Sequence, residues 1–269
     1  MQMTVNGITV NYTDEGHGVP LLFVHGFPLS RGAWQKQIDA LRSSYRVVAP
    51  DLRGFGASQA GTGPVSMGQY ADDLYALLQQ LKTGPVVLIG HSMGGYVSFA
   101  FLRQYPKMVR GLVLVSTKAS KDTPKAAAGR RAMAEKVRAK GVEVVIEAMA
   151  TKMLAADNHD RAMAEQVRGF MASSKPAGVI GALLGMAERP DATAELARIS
   201  VPTMVITGAD DTLIPPTESE KLALAIPSSQ LNIIPNAGHL AGFEQAGKFN
   251  HVIEEWLDRV AFPVSVPVA

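Results

Sequence analysis

The chain has 269 residues, 47% of them hydrophobic, and a formal net charge of +2. This length suits one large α/β domain with an insertion, or two small domains. The nearly balanced charge gives no reason to expect a nucleic-acid or membrane partner. Cysteine is absent, which excludes disulfide bonds and thiolate metal sites. The sequence has neither a signal-peptide pattern nor a run of about 18 apolar residues, so we expect a cytoplasmic protein without a membrane-spanning helix.

Strands and helices alternate in the predicted order of the first 117 residues. Apolar and polar residues alternate over 7–14, which is typical of a half-exposed antiparallel strand at the edge of a sheet. The later apolar runs are continuous, as in parallel strands buried on both faces. Helices separate them, and one of these helices has Ser66 as its predicted N-cap and Gln69 as a capping-box partner. We predict the buried strands at 21–24, 45–49, 86–89 and 109–115.

From Lys118 to about Ile199 this alternation stops, and only helices are predicted. Thr123 followed by Pro124 is typical of a helix start, and Asp157 is a candidate N-cap for a later helix of the same segment. The basic residues of this segment are interleaved with acidic ones and lack accompanying aromatic residues. We therefore interpret them as a solvated helix face and do not expect nucleic-acid binding.

The alternation resumes after the helical segment. Strands are predicted at 203–207 and 231–234, and the last helix carries a one-sided apolar stripe. The whole pattern predicts an α/β fold with a mostly parallel, doubly wound sheet. Residues 1–117 and 200–269 form its core, and residues 118–199 are inserted as a helical cap.

The candidate nucleophile is Ser92, which lies where the strand at 86–89 becomes a helix. Gly90, Ser92 and Gly94 form the G-x-S-x-G pattern of a nucleophile elbow. Such a turn forces the serine into strained backbone geometry, and glycine on both sides avoids collisions. The serine oxygen then projects from the carboxyl end of the strand, beside a helix N-terminus that favours developing negative charge.

A serine hydroxyl needs a base to remove its proton and an acid to orient that base. In a doubly wound sheet, both groups come from loops at the carboxyl ends of other strands. Of the six histidines, His239 lies in such a loop, after the strand at 231–234, and we predict it as the base. The loop after the preceding strand offers Asp210 and Asp211, and periodicity does not choose between them.

Two backbone N–H groups are needed to bind the oxyanion of a tetrahedral intermediate. One belongs to the residue after the nucleophile, Met93. The second is expected from the loop His25-Gly26-Phe27-Pro28, and because proline has no N–H, Phe27 is the candidate. We expect His25 to support this loop by hydrogen bonding.

Four further segments complete the set of motifs: HGFP (25–28), DLRGFGAS (51–58), GADDTLIPP (208–216) and NAGH (236–239). With the elbow, they make the chain resemble the α/β-hydrolase family over nearly its whole length apart from the cap. Within that family it is most similar to small serine esterases, cofactor-free perhydrolases and enol-lactonases. The resemblance implies that Asp211 is the acid and that the cap is a lid. Ser92 argues against the related haloalkane dehalogenases and epoxide hydrolases, which have aspartate at this position.

The motifs and the resemblance together predict a serine carboxylesterase that hydrolyses short- to medium-chain esters through an acyl-enzyme. We expect no metal and no cofactor, and a small-molecule ester as the partner. The alternatives are a lactonase of the enol-lactonase type and, from a different class, a non-catalytic binding protein with a hydrolase fold. The sequence makes no prediction of oligomeric state.

An apolar pocket is expected above Ser92. The cap contributes flexible methionines, which adapt to varied apolar shapes, and Trp34 and Phe27 are expected to add aromatic walls from the loop beneath. Such a pocket predicts that short-chain aryl or alkyl esters are cleaved faster than an anionic enol-lactone. The candidate substrate-contacting residues are Trp34, His25, Phe170 and Leu183.

Overall fold

The computed structural model describes residues 1–260 and 262. Within them, the strands are β1 (Gln2–Val5), β2 (Ile8–Glu15), β3 (Pro20–Val24), β4 (Arg46–Pro50), β5 (Val86–His91), β6 (Val109–Val115), β7 (Thr203–Gly208) and β8 (Gln230–Ile234). They form one sheet in the order β1-β2-β4-β3-β5-β6-β7-β8. β2 pairs antiparallel with β1 and β4, and every later pair is parallel. The predicted mostly parallel sheet is confirmed, but the predicted edge position of the first strand is wrong, because β1 covers that edge.

The helices alternate with the strands and cover both faces of the sheet. They are α1 (Gln35–Leu41), α2 (Met67–Gln80), α3 (Met93–Gln104), α4 (Pro124–Lys140), α5 (Glu143–Met149), α6 (Arg161–Ala172), α7 (Pro176–Ala187), α8 (Pro216–Ala225), α9 (Ala241–Glu244) and α10 (Ala246–Val260). Successive strand residues point to opposite faces. Leu22 and Leu88 therefore belong to the core cluster that includes α2 and α3, whereas Leu21 and Ile89 belong to the cluster that includes α1 and α10.

Two of the predicted helix starts are confirmed and one is wrong. The side chains of Ser66 and Thr123 accept hydrogen bonds from backbone N–H groups of the first turns of α2 and α4. The predicted capping-box partner Gln69 instead directs its amide to Asp73. Asp160, not Asp157, caps α6, with its carboxylate 3.0 Å from the backbone nitrogen of Met163.

Residues 116–202, all of which the structure describes, contain no strand, and α4 to α7 lie within this segment. Glycines let α7 dock closely on the core. A Cβ on Gly54 would lie 3.2 Å from the nitrogen of Gly178, and the backbone N–H of Val65 donates to the carbonyl of Gly181 at 3.0 Å. The other end of the insertion contacts the loop after β8, where the N–H of Leu240 donates to the carbonyl of Met153 at 2.9 Å.

Within the described part of the chain, no single helix is long and apolar enough to cross a membrane. Among the described helices, α6 and α7 are long and apolar enough when taken together, and they are bent by 88° relative to each other.

Candidate active site

Ser92 is held in a strained conformation between β5 and α3. Its φ is 53° and its ψ is −113°, a region that residues other than glycine rarely occupy. The flanking glycines are required by close packing. A Cβ on Gly90 would lie 2.5 Å from the carbonyl oxygen of Gly94, and a Cβ on Gly94 would lie 3.0 Å from the carbonyl oxygen of His25. The predicted elbow geometry is thus confirmed.

The neighbouring strand β6 fixes the backbone of Ser92. The N–H of Ser92 donates to the carbonyl of Val115 at 2.9 Å, and the hydroxyl of Thr117 donates to the carbonyl of Ser92 at 2.8 Å. Both polar backbone groups of the strained residue are therefore satisfied within the protein, which offsets part of the cost of the strain.

The loops after β7 and β8 bring His239 and Asp211 together. His239 Nδ1 lies 2.8 Å from Asp211 Oδ2, and both side chains are almost fully buried. Asp211 Oδ1 accepts hydrogen bonds from the backbone N–H groups of Leu213 and Ile214, each at 2.9 Å. Asp210 is exposed and takes part in the turn through its own backbone N–H, which donates to the carbonyl of Ala237. Of the two adjacent carboxylates, Asp211 is the one that meets the histidine.

The environment of Asp211 favours its charged form. Burial alone would raise the pKa of Asp211. The electrostatic attraction of the His239 ring, the hydrogen bond to that ring and the two backbone N–H donors together act more strongly, so the pKa of this carboxyl lies below its ordinary value. A charged Asp211 accepts a hydrogen bond from the Nδ1–H of His239, which leaves Nε2 as the acceptor.

His91 connects the elbow to the loop that carries His239. Its Nε2 donates to the carbonyl of His239 at 2.9 Å, and the two imidazole rings are 4.7 Å apart. Burial, with His239 as the second cause, lowers the pKa of His91 to about 3, so the ring is neutral near pH 7. Because His91 directly precedes Ser92, this hydrogen bond ties the histidine loop to the serine turn.

The loop that follows β3 lies against the elbow. A Cβ on Gly26 would lie 2.6 Å from His91 Nδ1 and 3.0 Å from Ser92 Cβ. Within residues 1–260 and 262, no backbone carbonyl accepts a hydrogen bond from the N–H of the next residue, Phe27. Met93 is the first residue of α3, so its N–H has no acceptor within the helix. Two free donors therefore belong to segments that meet at Ser92.

His25 supports this loop, as predicted. It is fully buried, its Nε2 accepts the N–H of Leu52 at 3.0 Å, and its Nδ1 donates to the carbonyl of Gly26 at 2.9 Å. Burial is the largest cause that lowers the pKa of His25, which fits a neutral ring. Both ring nitrogens of His25 are thus engaged within the protein and its side chain is covered; its contact with substrate is not tested and stays a prediction.

Trp34 packs next to the elbow. Its ring packs in the core against Phe23, with centroids 5.0 Å apart, and against Phe249 at 6.1 Å. It also meets the edge of the His91 ring at 6.1 Å. The short 3-10 helix Arg31–Trp34 places this residue in the core cluster on the α1 and α10 side of the sheet. Trp34 also lines a small cavity with His91 and Leu240, and its contact with substrate stays a prediction.

The remaining predicted contacts lie at the boundary between cap and core. Phe170 is half-buried on α6, and its ring meets Phe243 edge-on at 5.3 Å. Leu183 is buried on α7 in the same core cluster as Phe27. Neither position tests substrate contact, which stays a prediction. A third apolar cluster joins the cap to the loops of the site and includes Leu29, Ile146, Met153, Val167, Met171, Leu240 and Phe243.

No sequence pattern identified Glu244 as part of the site. This carboxylate is 9% exposed and accepts the N–H of Gly238, the residue before His239, at 2.7 Å. The available signal was an acidic residue directly after the apolar segment from Leu240 to Phe243, but no local pattern identifies its partners. Within the described residues, no group of three or more histidine, aspartate or glutamate side chains is arranged to hold a metal ion.

A family model described as the alpha/beta hydrolase fold matches residues 19–246, and the chain belongs to the α/β-hydrolase family. Among solved structures, it is similar to a thermophilic esterase from Thermogutta terrifontis with malate bound, at 43% identity and a TM-score of 0.93 over 97% of both chains. It is also similar to an enol-lactonase from Burkholderia xenovorans, at 25% identity and a TM-score of 0.89, covering 96% of this chain and 100% of the other. A further relative is 3-oxoadipate enol-lactonase 2 of Acinetobacter baylyi, 27% identical over 96% of each chain.

Proposed function

We propose that the protein is a serine carboxylesterase that cleaves small uncharged esters. The observation that carries this proposal is the buried pair of Asp211 and His239, 2.8 Å apart, in a loop that His91 links to the elbow of Ser92. In this assignment Ser92 is the nucleophile, His239 is the base and Asp211 orients that base. No metal or cofactor is required.

The proposed reaction has two halves. His239 Nε2 takes the hydroxyl proton of Ser92 as the serine oxygen attacks the ester carbonyl. The N–H groups of Phe27 and Met93 bind the oxyanion that forms. When the carbon–oxygen bond to the alcohol breaks, His239 returns the proton to the leaving alkoxide, and the acyl group stays on Ser92. A water molecule, deprotonated by the same histidine, then releases the acid and restores the serine.

The comparisons support ester chemistry and keep one alternative open. The similar structure from Thermogutta terrifontis is named an esterase, whereas two other similar proteins are named enol-lactonases. A lactone is a cyclic ester, and the same steps would open it. The small cavity beside His91 is lined mostly by apolar side chains, among them Val115, Leu240 and Phe243, which favours an uncharged acyl or alcohol group over an anionic lactone.

The substrate proposal is tested by comparing kcat/KM for p-nitrophenyl acetate and butyrate with that for 3-oxoadipate enol-lactone. We expect the aryl esters to be cleaved faster. A lactone preference of tenfold or more, about 1.4 kcal/mol in transition-state free energy, would replace the esterase assignment with a lactonase.

The control for this comparison is Ser92→Ala, which removes one oxygen and leaves the glycine-defined elbow unchanged. We expect its turnover to fall by about a thousandfold or more. If the wild-type protein cleaves neither ester nor lactone, the alternative of a non-catalytic protein with this fold is favoured.

A further inference from the structure

The carboxylate of Glu244 joins the loop of His239 to the cap. On the core side it accepts the N–H of Gly238 at 2.7 Å. On the cap side it accepts the N–H of Ala155 at 3.1 Å from both oxygens, and the side-chain amide of Asn158 at 2.5 Å. The side chain stands at the end of the short helix α9, so one carboxylate joins the loop of His239 to a cap segment whose donors lie 86 and 89 residues away in sequence.

Every donor to this carboxylate is neutral. Within the part of the chain that the structure describes, no lysine, arginine or histidine forms an ion pair with Glu244. A carboxylate removed from water is costly unless hydrogen bonds replace its hydration, and charge-assisted bonds from N–H groups do so strongly. The site is therefore built so that Glu244 is satisfied only while the cap segment and the histidine loop are both in place.

The cap also holds His239 on its other side. The N–H of Leu240 donates to the carbonyl of Met153 at 2.9 Å. Gly238 packs so closely on the cap that a Cβ there would lie 2.5 Å from the nitrogen of Ala155. The residues before and after His239 are thus both fixed by the cap segment 153–158, directly or through Glu244.

We propose that Glu244 is a positioning residue that makes the alignment of His239 with Asp211 depend on the docked cap segment 153–158. This inference rests on the proposed function, in which His239 is the base. The cap segment 153–158 then helps to hold the loop that carries the base, His239. It stays docked on the core during turnover, and substrate enters past other parts of the cap.

The principal test is Glu244→Gln in the full-length protein. Glutamine keeps the shape but replaces one acceptor oxygen with an NH₂ group, which repels the N–H donors of Gly238 or Ala155. Because a displacement of about 1 Å at a catalytic group costs about 100-fold in rate, we expect kcat for p-nitrophenyl acetate to fall between about 10- and 100-fold, with KM nearly unchanged. Glu195→Gln is the matched control, since it removes the same charge from an exposed pair with Arg103 and should leave kcat as in the wild type.

A structural role alone would also lower stability, so a second readout observes His239 itself. The proton on His239 Nδ1, which is hydrogen-bonded to Asp211, is observed in the far-downfield region of the ¹H NMR spectrum of protein with ¹⁵N-labelled histidine. Loss of this signal in Asp211→Asn assigns it. We expect Glu244→Gln to shift or broaden this signal. Glu244→Asp, which keeps the charge but shortens the side chain, should give an intermediate kcat, and Asn158→Ala a smaller loss, because it removes only one cap-side donor.

If folded Glu244→Gln keeps both the NMR signal of His239 and the kcat of the wild type, the inference is overturned. The same holds if its Tm falls while the signal and kcat stay unchanged, because Glu244 would then have a structural role only. If Glu244→Gln does not fold, Glu244→Asp and Asn158→Ala decide by the same two readouts. If the wild-type protein hydrolyses no ester, the proposed function fails, whereas the NMR signal still reports whether Glu244 aligns the pair of His239 and Asp211.

Discussion

A methyl group added at Gly26 is expected to impair turnover far more than stability. The Cβ of alanine would lie 2.6 Å from His91 Nδ1 and 3.0 Å from Ser92 Cβ, whereas atoms in contact are separated by about 3.5–4.0 Å. The φ of Gly26 is not in the left-handed region, so alanine is not strained by its own backbone. The loop must instead retreat from the elbow by about 1 Å, and it carries the N–H of Phe27 with it.

The size of the effect follows from that displacement. Loss of one oxyanion donor costs about 10²–10³ in kcat, and a misplacement of about 1 Å costs about 100-fold. We therefore expect Gly26→Ala to lower kcat for p-nitrophenyl acetate by about 100-fold or more. The assay is steady-state hydrolysis with urea unfolding of the same preparation.

Gly129→Ala is the matched control, because apart from its chain neighbours and the backbone of α4 itself nothing lies within 4 Å of the added Cβ. This variant should keep wild-type kcat and gain about 0.4–1 kcal/mol in unfolding free energy. If Gly26→Ala also keeps kcat within a factor of two of wild type, the N–H of Phe27 does not bind the oxyanion, and the site assignment is refuted at that point.

Three further predictions concern the charged and titratable groups. Asp211→Asn should lower kcat by about 10⁴ by favouring the wrong tautomer of His239, and Asp210→Asn should change it little; the reverse order in purified variants would exchange their roles. The pKa of His91 is lowered from 6.5 to about 3, so the unfolded chain binds a proton that the folded state excludes. Stability should therefore decrease as the pH falls from 6.5 toward 3, by about 1.4 kcal/mol per pH unit from this group; urea unfolding of His91→Asn should lack this contribution, and parallel curves would contradict it. Burial raises the pKa of Asp122, but its ion pairs with Arg130 and Arg189 lower this pKa by more than burial raises it. The pKa therefore lies below its ordinary value of 3.8. Asp122→Asn should thus lower the unfolding free energy by about 3–5 kcal/mol at pH 7. This difference from wild type should shrink as the pH falls below 3.8 and through the lower pKa of Asp122 in the folded state. A difference that does not change with pH would disprove the pairing.

The sequence predicted those parts of the fold that depend on local pattern. Continuous apolar runs identify strands buried on both faces, and the two core clusters contain alternate residues of the same strands. The antiparallel strand β1 was missed although Asn6 and Gly7 carry its signal. Both residues have positive φ, 45° and 76°, which is the two-residue hairpin turn that Asn-Gly favours.

The site was predictable where its chemistry fixes a residue type at a motif, as at Ser92 and His239. It was less predictable where packing between distant segments determines the direction or the partners of a side chain. Trp34 follows the loop in sequence, but the 3-10 helix that contains it turns the side chain into the core. The partners of Glu244 lie 86 and 89 residues away in the cap, and no spacing rule connects them.

The central claim is that Ser92 is a nucleophile activated by His239 and Asp211. Treating the wild-type protein with a fluorophosphonate and locating the adduct by mass spectrometry tests this claim most directly, because the reagent is attacked by an activated serine. We predict a single adduct on the peptide that contains Ser92, none in Ser92→Ala and much slower labelling in Asp211→Asn. Absence of an adduct in the folded wild-type protein, or an adduct on another residue, would contradict the account.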